Sequence, residues 1–441
     1  MSADPSRTVL AHGIGGRADL PISADLAIWG SGVIVLVTFL SLILLWRTPR
    51  LRGNAGGAPL PTALQRVLDA PALRWTLRAG VLVVAALVVA VAFVGPSASN
   101  DNLSPYALYI TLWVGLVPAS LLLGPVWRVV NPLRTLYAGL ARVTGPAPAA
   151  QHLPAIGYWP AAAALLVFTW LELVLPGRAE PRTVGTFLVV YALGQLAGAV
   201  WFGAGWFARG DGFEVYSTLI GRLSPLGRRE DGRLVLRSPL DGVDGLRRAP
   251  GLVAVVMVLV GSTAFDGLSR TQFWLQGPGL DAWVVPGTLG MLATIGVATV
   301  LYVGATCAIG VLTGESWRPQ PSLYAHLLVL IAAGYAIAHY FSLLLLDGQT
   351  TWILASNPFG ADGVDVFGTY ANRVDYTVVA TRTISWVQVG AIVLGHLLAV
   401  VLAHDRAVRR QPRGAATKAQ LPLVAVMVAF TVGGLGLLLS S

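Results

Sequence analysis

Four of the six histidines fall in residues 322–410, where two long apolar runs flank a polar loop. His326 and His339 lie in the first run, and His396 and His404 lie in the second. An ionisable residue in a bilayer segment is costly unless it faces a cavity, a partner or a ligand. These four side chains are therefore the first candidates for a chemical site.

Several carboxylates are predicted to meet His339 at one end of the spans. Asp347 follows His339 by eight residues, which is about 80° around a helix. Asp266 ends a separate apolar run. A histidine with several carboxylates is the donor set of a divalent metal or of a general acid–base site. We predict the catalytic residues to be His339, Asp347 and Asp266. We predict the metal ligands to be His339, Asp347, Asp362 and Asp365.

The same carboxylates also fit a purely structural interpretation. Helix ends carry charge where water begins, because a charge near the interface costs much less than one at the midplane. On this interpretation Asp266 and Asp347 mark helix ends, and Glu172 pairs with Arg178 or Arg182. His339 differs from them, because a full apolar turn flanks it on each side.

Histidines on two facing helices can also bind a haem iron between them. His326 and His339 lie about 140° apart around their helix. His339 and His396 differ in depth by roughly 13 Å if the two spans are antiparallel and aligned. The candidate haem ligands are therefore His326, His396 and His404, with His326 on one helix and either of the others on the next. A divalent metal ranks above haem as the predicted cofactor.

Composition places these residues in a membrane protein. Of the 441 residues, 55% are hydrophobic and only 12% are charged, whereas a soluble chain has about 25% charged residues. Apolar runs of about 20 residues recur, each long enough to cross a hydrocarbon core of ~30 Å. Segments with the alternating polarity of a membrane β-barrel are not found. The sequence predicts an all-α, polytopic helical membrane protein, a single integral domain of residues 1–441 in contact with the lipid bilayer.

About ten transmembrane helices are predicted. Their ranges are Leu26–Trp46, Ala79–Val94, Pro105–Trp127, Leu153–Leu175, Val184–Phe207, Gly251–Phe265, Val284–Leu312, Ser322–Leu346, Arg382–His404 and Leu421–Leu439. The loops after odd-numbered spans are rich in arginine, so the positive-inside rule makes them cytoplasmic. Both termini are then extracytoplasmic. Residues 1–25 form an extracytoplasmic head, residues 208–250 a basic cytoplasmic loop, and residues 347–381 a large extracytoplasmic loop.

Other functional classes have little support in the sequence. The net charge of +9 comes mostly from arginine in the predicted cytoplasmic loops, which is typical of membrane orientation and does not indicate nucleic-acid binding. The lone Cys307 excludes an internal disulfide and a CxxC motif. Walker A, GxGxxG, HExxH and GxSxG motifs are not found. No residue pattern indicates an oligomeric state.

Several segments carry a resemblance to a known family. They are the head Ala11–Ile22, then Ala338–Leu343, Asp365–Thr369 with Asn372 and Arg373, Trp386–Gly390, Gly395–His396 and Leu402–Ala407. Together these segments resemble a group of bacterial, largely actinobacterial, polytopic membrane proteins that are named fenitrothion hydrolase. The resemblance implies a membrane-bound hydrolase of organophosphate triesters in the inner (plasma) membrane. It assigns no catalytic residue.

Three hypotheses follow. The first is a metal-dependent phosphotriester hydrolase with His339 and Asp347 at an extracytoplasmic site, since such hydrolysis usually needs a metal to activate water. The second is a transporter or channel for a small solute or metal ion, with His326, His339 and His396 along its path. The third is a haem-binding redox protein. The residues favour enzyme and transporter equally, and the resemblance favours the hydrolase.

Overall fold

The computed structural model describes residues 22–145, 147–277 and 284–440 of the chain. Across these ranges, nine helices are long and apolar enough to cross a membrane, and a tenth span is obtained if one bent pair of helices is counted as one. The predicted all-α polytopic architecture is therefore confirmed, and the chain is a multi-pass membrane protein. Most of the predicted head, residues 1–21, lies outside the described residues.

The first half of the chain contains twelve helices that we number. They are α1 (Ala24–Leu45), α2 (Thr62–Leu68), α3 (Pro71–Val94), α4 (Leu103–Leu123), α5 (Val126–Val130), α6 (Pro132–Thr144), α7 (Leu153–Ile156), α8 (Trp159–Leu173), α9 (Pro181–Phe202), α10 (Phe207–Gly210), α11 (Gly212–Ile220) and α12 (Pro239–Asp244). Within α4, the residues Tyr106–Val114 are π-helical.

The second half of the chain contains eight more. They are α13 (Leu252–Ser269), α14 (Gln272–Gln276), α15 (Val284–Thr313), α16 (Gln320–Tyr324), α17 (Leu327–Leu345), α18 (Gly348–Ala355), α19 (Thr381–Arg410) and α20 (Arg413–Ser440). Three short strands also occur in the described chain: β1 (Ala58–Pro59), β2 (Leu226–Arg228) and β3 (Leu234–Leu236).

Local sequence determines where several helices begin and end. Ser23 accepts a hydrogen bond from the backbone N–H of Leu26 and so caps α1. Pro71 and Pro181 begin α3 and α9, where the N–H that proline lacks would have no helical partner. At the other end of a span, α4 stops at Gly124, whose φ of +82° is costly for any residue with a Cβ.

Several predicted boundaries differ from the structure, and those of the fourth, fifth and sixth spans differ as follows. The fourth span is broken, because α7 and α8 are bent by 66° on either side of Gly157, whose φ is +60°. The fifth span ends at Phe202, and Phe207 belongs to a separate short helix. The sixth span continues to Ser269, so Asp266 lies inside the last turn of α13 and not beyond it.

The helix α17 lies at the centre of the protein. In its most apolar stretch, 78% is buried inside the protein. The corresponding share is 17% for the span of residues 62–94 and 22% for α1 and for α9. The outer helices therefore present most of their apolar surface to lipid, as expected for a membrane bundle. Its polar side chains His339, Tyr340 and Ser342 are consequently enclosed by protein.

Two glycines bring α17 and α19 into close contact. A Cβ added at Gly334 would lie 2.6 Å from the carbonyl oxygen of Ala391, and one at Gly395 would lie 2.8 Å from that of Leu330. Small residues at a crossing are how membrane helices approach closely. The crossing also fixes the register of the two helices, since Gly395 on α19 lies level with residues 330–334 on α17.

The predicted basic loop of residues 208–250 is largely folded. It contains the buried helix α11, two strands and α12. The strand order is β1-β3-β2, and β3 pairs with both neighbours in antiparallel fashion. Because β1 belongs to the loop after α1, the sheet joins two of the arginine-rich loops on one face of the bundle. We call this face the sheet side.

The opposite face, which we call the loop side, carries the large loop of residues 347–381. This loop begins with α18, which packs against the π-helical part of α4. The rest of the loop consists of turns that end where α19 begins. The loop is thus anchored to the bundle at both of its ends.

Candidate functional site

A histidine and a carboxylate from two neighbouring helices meet in the loop-side half of the bundle. Nε2 of His339 on α17 is in direct contact with Oδ2 of Asp266 on α13, and both residues are buried. Arg270, one turn after Asp266, donates a hydrogen bond of 2.7 Å to the other carboxylate oxygen. Its guanidinium also lies 3.5 Å from Nε2 of His339. The three side chains form one charged group.

A second polar group adjoins the first. The Tyr340 hydroxyl donates to Oε1 of Glu172 at 3.3 Å and accepts from the indole N–H of Trp113 at 3.1 Å. The rings of His339 and Tyr340 are 4.9 Å apart and nearly perpendicular. We call Glu172, Asp266, Arg270, His339 and Tyr340 the His339 cluster. Within the described chain, Oε2 of Glu172 is buried without a hydrogen-bond partner.

The His339 cluster lies below the surface of the bundle. His339 precedes the loop-side end of α17 by six residues, which is about 9 Å along the helix axis. Charges at this depth are tolerated only when they are paired and hydrogen-bonded. The side chain of Arg270 is 29% exposed, so it extends from the buried pair towards the loop-side surface.

A small, partly open cavity of about 20 Å³ lies beside His339. Its wall includes Thr263 of α13, Tyr335 and Ala338 of α17, and Ile392 of α19. A cavity of this size holds about one water molecule. It is too small for a phosphotriester, which has many more atoms than water.

The predicted metal ligands are not brought together. Asp347 lies between α17 and α18, where burial raises the pKa of its carboxyl group. Asp362 is exposed. Asp365 accepts hydrogen bonds from the Ser356 hydroxyl and from two backbone N–H groups of the turn that follows it. Over the described residues, no three His, Cys, Asp or Glu side chains are placed to hold a metal ion. These positions do not fit the metal that a phosphotriesterase would need.

The predicted haem ligands lie in different surroundings. The two ring nitrogens of His404 are each 3.0 Å from an oxygen, one from Gln420 and one from the Trp46 backbone. His404 therefore joins three helix ends and has no nitrogen left for iron in this arrangement. His396 and His326 are buried, and the structure shows no partner for Nε2 of either ring in the part of the chain it describes.

The structure contains an ion-pair network on the sheet side, and the sequence gives only one indication of it. Asp244 of α12 accepts from Arg406 at 2.8 Å and from Arg409 at 3.1 Å. Arg409 also pairs with Asp405 at 2.7 Å, and Asp405 accepts the backbone N–H of Arg50 at 2.6 Å. We call these five residues the sheet-side network. The four-residue spacing of Asp405 and Arg409 is the one feature that indicates pairing.

A buried acidic group at the start of α11 was also outside the sequence predictions. Asp211 caps α11 and accepts from Tyr191 at 2.7 Å and from Asn131 at 2.7 Å. Glu214 forms a two-pronged ion pair with Arg134. Most of residues 212–220 are apolar and buried, and this largely apolar stretch is the signal that could have identified α11 as part of the bundle.

Comparison of the chain with protein-family models, with curated proteins and with solved structures gives no match. The fold and the site define a class only: an α-helical multi-pass membrane protein with a buried cluster of ionisable side chains. The resemblance to fenitrothion hydrolase-type proteins stays a prediction. The function has to be argued from the residues of this chain.

Proposed function

We propose that the protein is a membrane transporter or channel that conducts protons, and that the His339 cluster binds and releases the proton. The observation that carries this proposal is the buried contact between His339 and Asp266, with Arg270 beside it. Chains of Asp, Glu and His inside a bilayer are the usual means by which pumps and transporters move protons. Protonation of this pair changes the net charge of the cluster, and that change can drive a helix movement.

Two observations favour transport over hydrolysis. The cavity beside His339 is large enough for water but not for an organophosphate triester. The predicted ligands Asp347, Asp362 and Asp365 do not converge with His339 on a metal position among the described residues. A proton needs neither a large cavity nor a metal. The geometry therefore fits proton transfer better.

The distribution of charge supports an orientation for the transporter. The arginine-rich loops share the sheet side, and the positive-inside rule places such a face in the cytoplasm. Trp46 at the end of α1 and Gln420 near the start of α20 both reach His404 on the sheet side. The two described chain ends then lie on the loop side. We infer that the loop side is extracytoplasmic and that the membrane is the inner (plasma) membrane.

The test is proton flux in liposomes. Purified protein is reconstituted with a pH-sensitive dye inside, and a potassium gradient with valinomycin drives proton movement. We expect His339→Gln and Asp266→Asn to lower the flux by about tenfold or more, because each removes a proton-accepting group. The control is His152→Gln, a change at an exposed histidine on a short surface helix. Flux that is equal in all four proteins would contradict the proposal.

Hydrolysis is a second candidate, because one observation favours it. A His–Asp pair beside a water-sized cavity is the arrangement of a general base and the carboxylate that orients it. In this case the imidazole of His339 accepts a proton from water as the water oxygen bonds to phosphorus and the phenolate departs. The test is release of the nitrophenol from fenitrothion by the same proteins. Hydrolysis that is lost in His339→Gln, together with absent proton flux, would replace transport by hydrolysis.

A further inference from the structure

Two buried histidines lie between the His339 cluster and the sheet side. His396 is fully buried and His326 is 3% exposed. Nε2 of each has no hydrogen-bond partner within the described residues. A buried polar atom left in this way destabilises the fold, and such atoms usually mark bound water or a functional group. Neither histidine has a place in the proposed function so far.

The register of α17 and α19 gives the depth of each side chain. Gly395 lies level with residues 330–334, so His396 is about 12 Å from the level of His339 along the bundle axis. His326 is about 8 Å further, and Arg406 about 8 Å beyond that. The whole series covers roughly 27 Å, close to the ~30 Å thickness of the hydrocarbon core. Ionisable side chains are thus spaced across nearly the full membrane.

The cavity lies within the longest gap in this series. Its wall contains His339 together with Tyr335 and Ile392. The Tyr335 ring lies 6.1 Å from the His396 ring, and the Ile392 carbonyl lies 2.9 Å from Nδ1 of His396. A carbonyl can only accept, so Nδ1 carries the hydrogen and Nε2 of His396 presents a lone pair. A water in the cavity would therefore stand between the His339 cluster and the neighbours of His396.

We propose that His396 and His326 are successive proton carriers, bridged by internal water, on a path from the His339 cluster to the sheet side. This inference rests on the proposed proton transport and names its route. A proton that reaches His396 binds Nε2 and gives an imidazolium. The ring becomes neutral again when the same nitrogen passes the proton to water on the side of His326. Only N–H and O–H bonds form and break in this transfer.

The path ends at the sheet-side network. The charged groups around His326 are Arg406, Arg409 and Asp244. The two arginines repel a proton that stays on His326, and Asp244 attracts it towards the surface. The Nε of Arg406 is also buried and has no hydrogen-bond partner among the described residues. This arrangement favours release of the proton at the sheet side over its retention on the ring.

The test compares three leucine substitutions in the same liposome assay. We expect His396→Leu and His326→Leu to lower proton flux by about tenfold or more, because leucine cannot carry a proton. The control His152→Leu makes the same change at an exposed histidine and should leave flux unchanged. The melting temperature of each protein in detergent is measured in parallel. Folded variants that conduct as well as wild type would overturn the path.

A second variant covers the case in which a histidine variant does not fold. Ala338→Leu fills the cavity and leaves all histidines in place, since Ala338 is buried in the cavity wall. We expect it to lower flux as well, and full flux in this variant would overturn the path. Flux that is lost in His339→Gln but retained in His396→Leu would overturn the path and keep the proposed function. Absence of flux in the wild type would instead overturn the proposed function.

Discussion

The two charged regions of the protein are built differently. In the sheet-side network, Oδ1 of Asp405 accepts from the Trp46 indole and from the backbone N–H of Arg50, and Oδ2 accepts from Arg409. Both oxygens of Asp244 accept from arginine. In the His339 cluster, one oxygen of Glu172 is buried without a partner among the described residues, and a cavity adjoins the histidine.

This difference separates a structural role from a chemical one. A carboxylate whose oxygens are all satisfied by arginine and backbone donors is fixed in its charged form and holds its helices in place. A buried polar group that is only partly satisfied keeps the freedom to change its proton or to bind water. Charge density alone does not distinguish the two regions. The completeness of carboxylate hydrogen bonding does, since it indicates a structural role for Asp244 and Asp405 on the sheet side and leaves Oε2 of Glu172 on the loop side without a partner among the described residues.

The largest effect on stability is expected from Asp244→Ala. The change leaves Arg406 and Arg409 without their shared carboxylate, and the Asp244 side chain is only 3% exposed. Breaking a buried pair costs about 3–5 kcal/mol, and we expect the lower end, because the Arg409 side chain is 36% exposed and can turn to water. Thermal unfolding in detergent measures this loss.

The control for that change is Asp231→Ala. Asp231 pairs with Arg229 on an exposed turn, and exposed pairs contribute little to stability. The comparison with the His339 cluster comes from Asp266→Asn, which should lose proton flux and lose less stability than Asp244→Ala, because the amide keeps the shape of the side chain and can still hydrogen-bond to Arg270 and His339. If Asp244→Ala unfolds with the wild type, the sheet-side network is not the structural region.

A smaller effect is expected from Gly395→Ala, which tests the crossing that aligns the two regions. The new methyl group would meet the Leu330 carbonyl at 2.8 Å, and the backbone of α17 has to move away. Overpacking of this kind costs about 1–3 kcal/mol. We expect a lower unfolding temperature and reduced flux, because the register between His339 and His396 is disturbed.

Gly390→Ala is the matched control on the same helix. Nothing lies within 4 Å of a Cβ added at Gly390, and alanine is the better helix former. The unfolding temperature should stay the same or rise slightly. An equal decrease of the unfolding temperature in the two variants would show that the crossing of α17 and α19 is not tightly packed.

The sequence predicted the spans well and the site only in part. Long apolar runs identify membrane helices because length and hydropathy are local properties. His339 and Asp266 were both predicted as catalytic, and the structure brings them into contact. Asp347 and Asp365 were grouped with them because all were expected on one face, but α18 separates the two in the chain and Asp365 is used to cap a turn.

What the sequence could not reveal depends on contacts between distant elements. Arg270 follows Asp266 by one turn, yet its contact with His339 requires the packing of α13 against α17. The helix α11 was assigned to a hydrophilic loop because the arginines around it lower the local hydropathy. Asp211 and Glu214 are buried there only because Tyr191 and Arg134 reach them from two other helices.

The smallest expected effect is on the pH dependence of folding stability, to which Asp244 and Asp347 contribute in opposite ways. Burial opposes ionisation of Asp244, but hydrogen bonds and charge from Arg406 and Arg409 outweigh it and lower the pKa of its carboxyl group. Its contribution to stability is therefore present above the ordinary pKa of about 4 and is lost as the pH falls through the lowered value. Burial raises the pKa of Asp347, so this residue destabilises the fold above its raised pKa and ceases to do so as the pH falls.

Unfolding temperatures between about pH 3 and pH 7 test this difference, since the ordinary carboxyl pKa of about 4 lies inside that range. We expect Asp244→Asn to flatten the loss of stability at the acidic end, because the variant has no carboxylate to protonate there. Asp347→Asn should raise the unfolding temperature near pH 7 by a small amount and leave it unchanged at the acidic end. If both substitutions change the pH dependence of the unfolding temperature in the same direction, the pKa values of the two carboxyl groups are not shifted in opposite directions. A stabilising Asp347→Asn with unaltered flux would also show that Asp347 is not needed for proton transfer, in contrast to Asp266.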